Sequence, residues 1–166
     1  GALEDLSICL DLSPKSPDVY ILRALAYSRM GKTRSAIEEY DKVIQLDAFD
    51  TWSLNNRAGC YLSLFDSLRA KEDISRCIEI DPYFTLPYNN LSRIQVLQGD
   101  LPGAIQTLSD AVSMSPTCAL SFLNLSRIKA KSGDIHDALS DLVQAMRFAP
   151  DSWDLEGEYY ELADRL

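Results

Sequence analysis

TWSLNNRAGCYLSLFDSLRAKEDISRCIEIDPYF (residues 51–84) is followed at once by TLPYNNLSRIQVLQGDLPGAIQTLSDAVSMSPTC (85–118), and the two align place by place without a gap. Asn55 and Asn56 fall on Asn89 and Asn90, Ala70 on Ala104, and Pro82 on Pro116. The same offset, the step from Asn55 to Asn89, runs outward in both directions. It links Ala2, Ala36, Ala70, Ala104 and Ala138; Pro14, Ala48, Pro82, Pro116 and Pro150; and Gly31, Phe65, Gly99 and Gly133. A small residue, a Gly and a Pro recurring in one register predict stacked helical hairpins. The question of function therefore moves from catalysis to binding surface.

Each marker has a physical reason. The Ala column marks a close approach of two helices, where a larger side chain would force them apart. Gly31, Gly99 and Gly133 end the first helix (A) of a hairpin in a conformation that only Gly takes cheaply. Phe65 cannot do so freely, so its turn is expected to be strained or of another type. The Pro ends the second helix (B), because the residue before it resists the helical region. One hairpin leaves an apolar face uncovered, so stability is expected from stacked neighbours.

Counted from Pro17, full units span 17–50, 51–84, 85–118 and 119–152. The fourth place holds Tyr20, Leu54, Tyr88 and Phe122, and the eighth Ala24, Ala58, Ser92 and Ser126. After the Gly or Phe65 and the Ala column come Tyr40, Ile74, Leu108 and Leu142, then Val43, Cys77, Ala111 and Ala145, then the Pro. This order of bulky, small, Gly, Ala, bulky, small and Pro resembles the tetratricopeptide repeat (TPR) family. The resemblance implies an all-α TPR solenoid of stacked antiparallel helix pairs forming a right-handed superhelix. Departures are Arg23 and Arg57 at the usually apolar seventh place, Phe65 for Gly and Ala48 for Pro, each expected to weaken a single turn. Residues 1–16, with Ala2, Leu6, Cys9 and Pro14 in frame, read as a partial repeat holding only helix B, as in an excised fragment. Residues 153–166 read as a capping helix, with Leu155, Tyr159, Leu162, Ala163 and Leu166 on one stripe and Asp154, Glu158, Glu161 and Asp164 opposite.

Apolar residues make up 46% and charged residues 25% of the chain, an ordinary globular balance. No apolar run approaches the ~18 residues of a membrane span, so no membrane insertion is expected. Cys9, Cys60, Cys77 and Cys118 lack CxxC or His-paired spacing and read as buried, reduced thiols, which places the protein in the cytoplasm or another intracellular, reducing compartment. The net charge of −9 argues against nucleic acid as a partner, since phosphate calls for a basic stripe. Acids such as Glu38, Glu39, Asp41, Glu72, Asp73 and Glu79 read as a solvated convex face. The single histidine, His136, stands beside Asp134 and Asp137 with no nucleophile spaced to meet it. Phosphate-cradling Gly motifs are missing from the sequence. No catalytic residue, metal or cofactor is expected.

The groove of a TPR array is lined by places two, five, six, nine, twelve and thirteen of helix A. All five asparagines, Asn55, Asn56, Asn89, Asn90 and Asn124, fall at the fifth or sixth of these, with Asn56, Asn90 and Asn124 forming a column. Asn is a poor helix former, but its amide can grip both N–H and C=O of an extended chain. Helices roughly 8–10 Å apart and a rise of about 3.3 Å per extended residue set one rung against about every third ligand residue. The column resembles the groove ladder of O-linked N-acetylglucosamine transferase, and groove asparagines similarly hold peptides in the peroxisomal targeting-signal receptor. Arg93 and Arg127 share the ninth place; with Arg29 and Lys131 against Asp18 they give the groove places a charge of +3. An acidic ligand segment follows, because Arg pairs with carboxylates.

The two-carboxylate clamp of TPR co-chaperones does not fit. Ile21 and Leu25 stand where its first Lys and Asn belong, and Leu86 or Leu120 and Asn90 or Asn124 where its last Lys and Arg belong. Ile21, Leu22 and Leu25 make the first unit's groove apolar, and Trp52 and Leu86 continue the trend, as an anchor pocket or an interface. The expected function is a non-enzymatic scaffold that binds an extended acidic peptide of a protein partner. The alternatives are a self-association module, acting as a homo-oligomer through its terminal repeats or within a larger complex, and the substrate-selecting arm of an enzyme whose catalytic domain lies outside this chain.

Overall fold

The computed structural model describes residues 16–149 and 153–166, so the readings placed on residues 1–15, including Cys9, and on Pro150 lie outside the described residues. All secondary structure among the described residues is helical: α1 (Pro17–Arg29), α2 (Thr33–Leu46), α3 (Thr51–Ser63), α4 (Ser67–Ile80), α5 (Leu86–Leu97), α6 (Leu101–Met114), α7 (Ala119–Ser132), α8 (Ile135–Phe148) and α9 (Glu156–Ala163). The chain divides into two compact units, Gly1–Phe84 and Thr85–Leu166. Each unit is a solenoid segment of stacked helix pairs. In the first, α1 packs on α2, α2 on α3 and α3 on α4; in the second, α5 packs on α6, α6 on α7, α7 on α8 and α8 on α9.

The markers of the period form the core of each pair. Ala36, Ala70, Ala104 and Ala138 are all fully buried, as are Val43, Cys77, Ala111 and Ala145. Tyr40, Ile74, Leu108 and Leu142 are buried beside them. A larger residue in the Ala column would cost about 1–3 kcal/mol by overpacking.

The turn between helices is the same in every repeat. Lys32, Asp66, Asp100 and Asp134 each donate a backbone N–H to the carbonyl five residues back, on Tyr27, Tyr61, Gln95 and Lys129, all at 2.9 Å. Gly31, Gly99 and Gly133 reach this turn at φ 71°, 82° and 99°. Phe65 adopts φ 60° to make the same turn, with its side chain 87% exposed. Of the two outcomes expected for Phe65, the strained turn is the one that occurs. Ala48 does not lengthen its helix either. Asp47 Oδ1 accepts the N–H of Phe49 at 2.9 Å, as Asp81 Oδ1 accepts that of Tyr83 at 3.0 Å. This Asx turn stops α2 without a proline.

Arg23 and Arg57 do not weaken their helices; they join helix A to helix B. Arg23 Nε and Nη2 donate to Glu39 Oε2 at 3.0 and 2.6 Å, and Lys42 completes the site at 2.8 Å from Glu39 Oε1. Arg57 donates to both oxygens of Asp73, at 2.8 and 2.6 Å, and to Asp41 at 2.6 Å. Burial alone would lower the Arg57 pKa, but the hydrogen bonds to Asp73 and Asp41 reverse this and hold it above its usual value. Glu39 and Asp73 are buried, so they do not belong to a solvated acidic face.

The described cysteines are free thiols. Cys60 and Cys77 are buried and Cys118 half-buried. Cys77 donates to the Thr51 carbonyl at 3.3 Å, and burial pushes its thiol up to about 12. No helix among the described residues is long and apolar enough to cross a membrane.

Candidate functional site

The fifth and sixth places sit side by side on helix A but meet different surroundings. Asn55 and Asn89, at the fifth place, are both buried to 7% exposure. Asn89 spends its amide inside the second unit, where Nδ2 donates to Ser121 Oγ at 3.0 Å and to the Thr85 carbonyl at 3.4 Å. Its Oδ1 accepts from Nδ2 of Asn124 on α7 at 2.9 Å. A chain of side-chain hydrogen bonds thus joins α5 to α7, and it compensates the poor helix propensity of Asn with satisfied buried partners. Asn56, Asn90 and Asn124, at the sixth place, are half-buried. In the first unit Asn56 Nδ2 donates to the Trp52 carbonyl at 2.8 Å, one turn back on α3.

Asn89, Arg93, Asn124 and Arg127 come together around a cavity of about 170 Å³ between α5 and α7, with Ser92, Val96 and Ile128 as its floor. Arg93 is exposed and makes no ion pair among the described residues. Arg127 is already engaged: Nε and Nη2 donate to Glu158 of α9 at 2.7 and 3.0 Å. The hydrogen bonds to Glu158 hold the Arg127 guanidinium above its usual pKa. Lys131 and Arg127 border a second cavity of about 630 Å³, whose far wall is Glu158, Glu161, Leu162 and Arg165.

In the first unit, Leu22 of α1 is exposed while Ile21 and Leu25 are half-buried. Trp52 is exposed and lies 6.5 Å from the Phe84 ring. Among the described residues no group of three or more His, Cys, Asp or Glu is placed to hold a metal ion.

Reading α9 as a cap puts Glu158 on its solvent face and misses it as the partner of Arg127. Its signal lies in the period: Glu158 follows Asn124, and Glu161 follows Arg127, by the same step that separates Asn90 from Asn124. Continued past residue 152, the repeat frame puts both at groove places of a further helix A.

Residues 17–50 and 53–84 match the family model described as Tetratricopeptide repeat. These two stretches are tetratricopeptide repeats. TTC0263, a thermophilic TPR protein of Thermus thermophilus, matches with a TM-score of 0.85 at 16% identity, over 97% of this chain and 88% of its own. Cut9 and Hcn1, crystallised as an APC/C hetero-tetramer, give 0.84 at 17%, over 96% of this chain and 32% of that one. YrrB, a TPR protein with an unusual peptide-binding site, gives 0.65 at 17%, over 98% and 86%. At such identities the likeness concerns the fold of stacked TPR pairs. None of the curated proteins compared matches the sequence.

Proposed function

We propose that the chain is a non-enzymatic protein-interaction scaffold whose Thr85–Leu166 unit binds an extended acidic peptide of a partner across the paired faces of α5 and α7. The observation that carries this reading is the exposed Arg93 guanidinium at the rim of the 170 Å³ cavity, beside Asn124 and the buried Asn89. An arginine with no internal carboxylate offers a planar fork to an aspartate or glutamate of the ligand. Asn90 and Asn124 stand at the sixth place to meet the ligand backbone, and Lys131 adds positive charge on α7. In the first unit, Asn56 and Trp52 offer a polar and an aromatic contact of the same kind, with Asn55 buried beside them in sequence. The acidic remainder of the chain repels the same peptide, which confines it to the Arg-bearing face.

The test is fluorescence anisotropy with a labelled peptide of alternating Glu and Gly against a Gln–Gly control. The Glu–Gly peptide binds the wild type more tightly, and Arg93→Gln weakens it about tenfold, the worth of one charge-assisted contact. Equal binding of the two peptides overturns the reading.

The exposed Leu22 favours a second reading, self-association through α1 with Ile21 and Leu25. A mass in solution that rises with concentration, and returns to the monomer in Leu22→Glu, would support it.

A further inference from the structure

Arg93 and Arg127 occupy the same place in successive repeats, yet one has a carboxylate and the other has none. The difference comes from α9. Its Glu158 stands one full period after Asn124, so the last helix presents an acid where α5 and α7 present an amide. The carboxylate lies in the bidentate fork of Arg127, at 2.7 and 3.0 Å. α9 does not depend on this pair for its seat. Leu155 and Leu162 are buried in a cluster with Leu123, Leu139 and Leu142, and Arg165 Nη2 donates to the Ala130 carbonyl of α7 at 2.9 Å. The pair itself is open to solvent, with side chains 55% and 31% exposed, and faces the cavity of about 630 Å³.

We infer that Glu158 is a built-in competitor of the ligand: it fills Arg127 with the chain's own carboxylate and leaves Arg93 as the open anion site. This rests on the acidic-peptide reading above. Exchange of one carboxylate for another keeps both hydrogen bonds of Arg127, so an incoming acid displaces Glu158 at little cost to the guanidinium. Glu158 returns to water, for which it is already partly exposed. The cavity beside the pair supplies room for the entering side chain. A peptide with a single acid therefore takes Arg93. A second acid along the same peptide must displace Glu158 to reach Arg127.

The same Glu–Gly peptide tests this with four variants of the full chain. Glu158→Gln keeps the shape and removes the charge. A pair this exposed is worth up to ~1 kcal/mol, so binding tightens by about threefold to fivefold. Arg127→Gln alone changes affinity little, since Arg127 is occupied, and added to Glu158→Gln it abolishes the gain. Glu161→Gln removes an equal charge from the same helix and leaves affinity unchanged. Unaltered binding in Glu158→Gln, or an equal gain in Glu161→Gln, overturns the competition while leaving the acidic-peptide reading intact. Failure of both wild type and Glu158→Gln to prefer the Glu–Gly over the Gln–Gly peptide overturns both.

Discussion

The seventh place of helix A holds Arg23 and Arg57 in the first unit, and Leu91 and Leu125 in the second. Sixteen residues later, helix B answers with Glu39 and Asp73 in the first unit and Thr107 and Asp141 in the second. One unit fills the space between its helices with a guanidinium and a carboxylate; in the other, Leu125 is 2% exposed and packs with Ala104, Leu108 and Ile128. Asp141 keeps the acid's place without the arginine, and Lys129, one turn further along α7, pairs with it at 2.7 Å. Both solutions support the same turn and the same buried Ala column. The difference is therefore not one of fold but of tolerance. A buried ion pair is comparable in stability with its apolar equivalent, but it fails badly when one half is removed.

The comparison breaks most visibly at Asp73. Asp73→Thr leaves Arg57 buried with only Asp41, and urea unfolding should show a loss of about 3–5 kcal/mol. The double variant Arg57→Leu/Asp73→Thr copies the Leu91 and Thr107 arrangement and should return to within about 1 kcal/mol of wild type. A double variant as unstable as the single one would show that the two units are not interchangeable at this place.

Cys77 sharpens the contrast by pH. The second unit has Ala111 and Ala145 at its place, and burial raises the Cys77 thiol from 9.0 to about 12. The folded chain keeps the thiol neutral to higher pH than the unfolded chain does. Its contribution is therefore complete below pH 9 and is lost as pH rises toward 12. At a pH of about 10.5, Cys77→Ala should lose ~2 kcal/mol less than wild type. Parallel curves would refute this. Lys129→Met strands the Asp141 carboxylate, whose pKa burial already raises, and should cost about 1–2 kcal/mol at neutral pH by the same unfolding assay. The smallest effect belongs to the turns. Gly99→Ala meets no side chain within 4 Å and suffers only the left-handed backbone, about 1 kcal/mol. Phe65→Gly should gain a similar or smaller amount.

The period was readable in the sequence because it is a packing requirement: a larger residue overpacks the Ala column, and a turn at positive φ favours Gly, with Phe65 the one departure among the four turns. The ion pairs were readable in principle, since Arg and acid shift together by one period, but each Arg taken singly looks like a flaw in its helix. What the pattern does not contain is the rotation of a helix against its neighbour. Asn89 and Asn90 are adjacent in sequence, but the fifth place turns inward in both units, as the burial of Asn55 and Asn89 to 7% exposure shows, and Ser121 and Asn124 on α7 supply the partners that Asn89 meets there. Arg93 and Arg127 look alike in the repeat frame for the same reason. Their difference is set by Glu158, from a helix that departs from the repeat pattern in most of its other places.

The span of these bonds has a consequence for copy number. The bonds of Arg23 to Glu39 and of Arg57 to Asp73 each close within a single repeat, so such a repeat takes its buried ion pair with it when it is duplicated or excised. The charged side chains that do reach across do so near solvent: Arg57 to Asp41, whose side chain is 41% exposed, and Arg76 Nη2 to the Ala48 carbonyl at 2.9 Å. Asn89 takes its partners Ser121 and Asn124 from the following repeat. Excision of residues 119–152 would leave the buried Asn89 amide with only the Thr85 carbonyl, at 3.4 Å, of these three partners. By this criterion, the first unit is built of interchangeable parts, whereas the second must be inherited as a set.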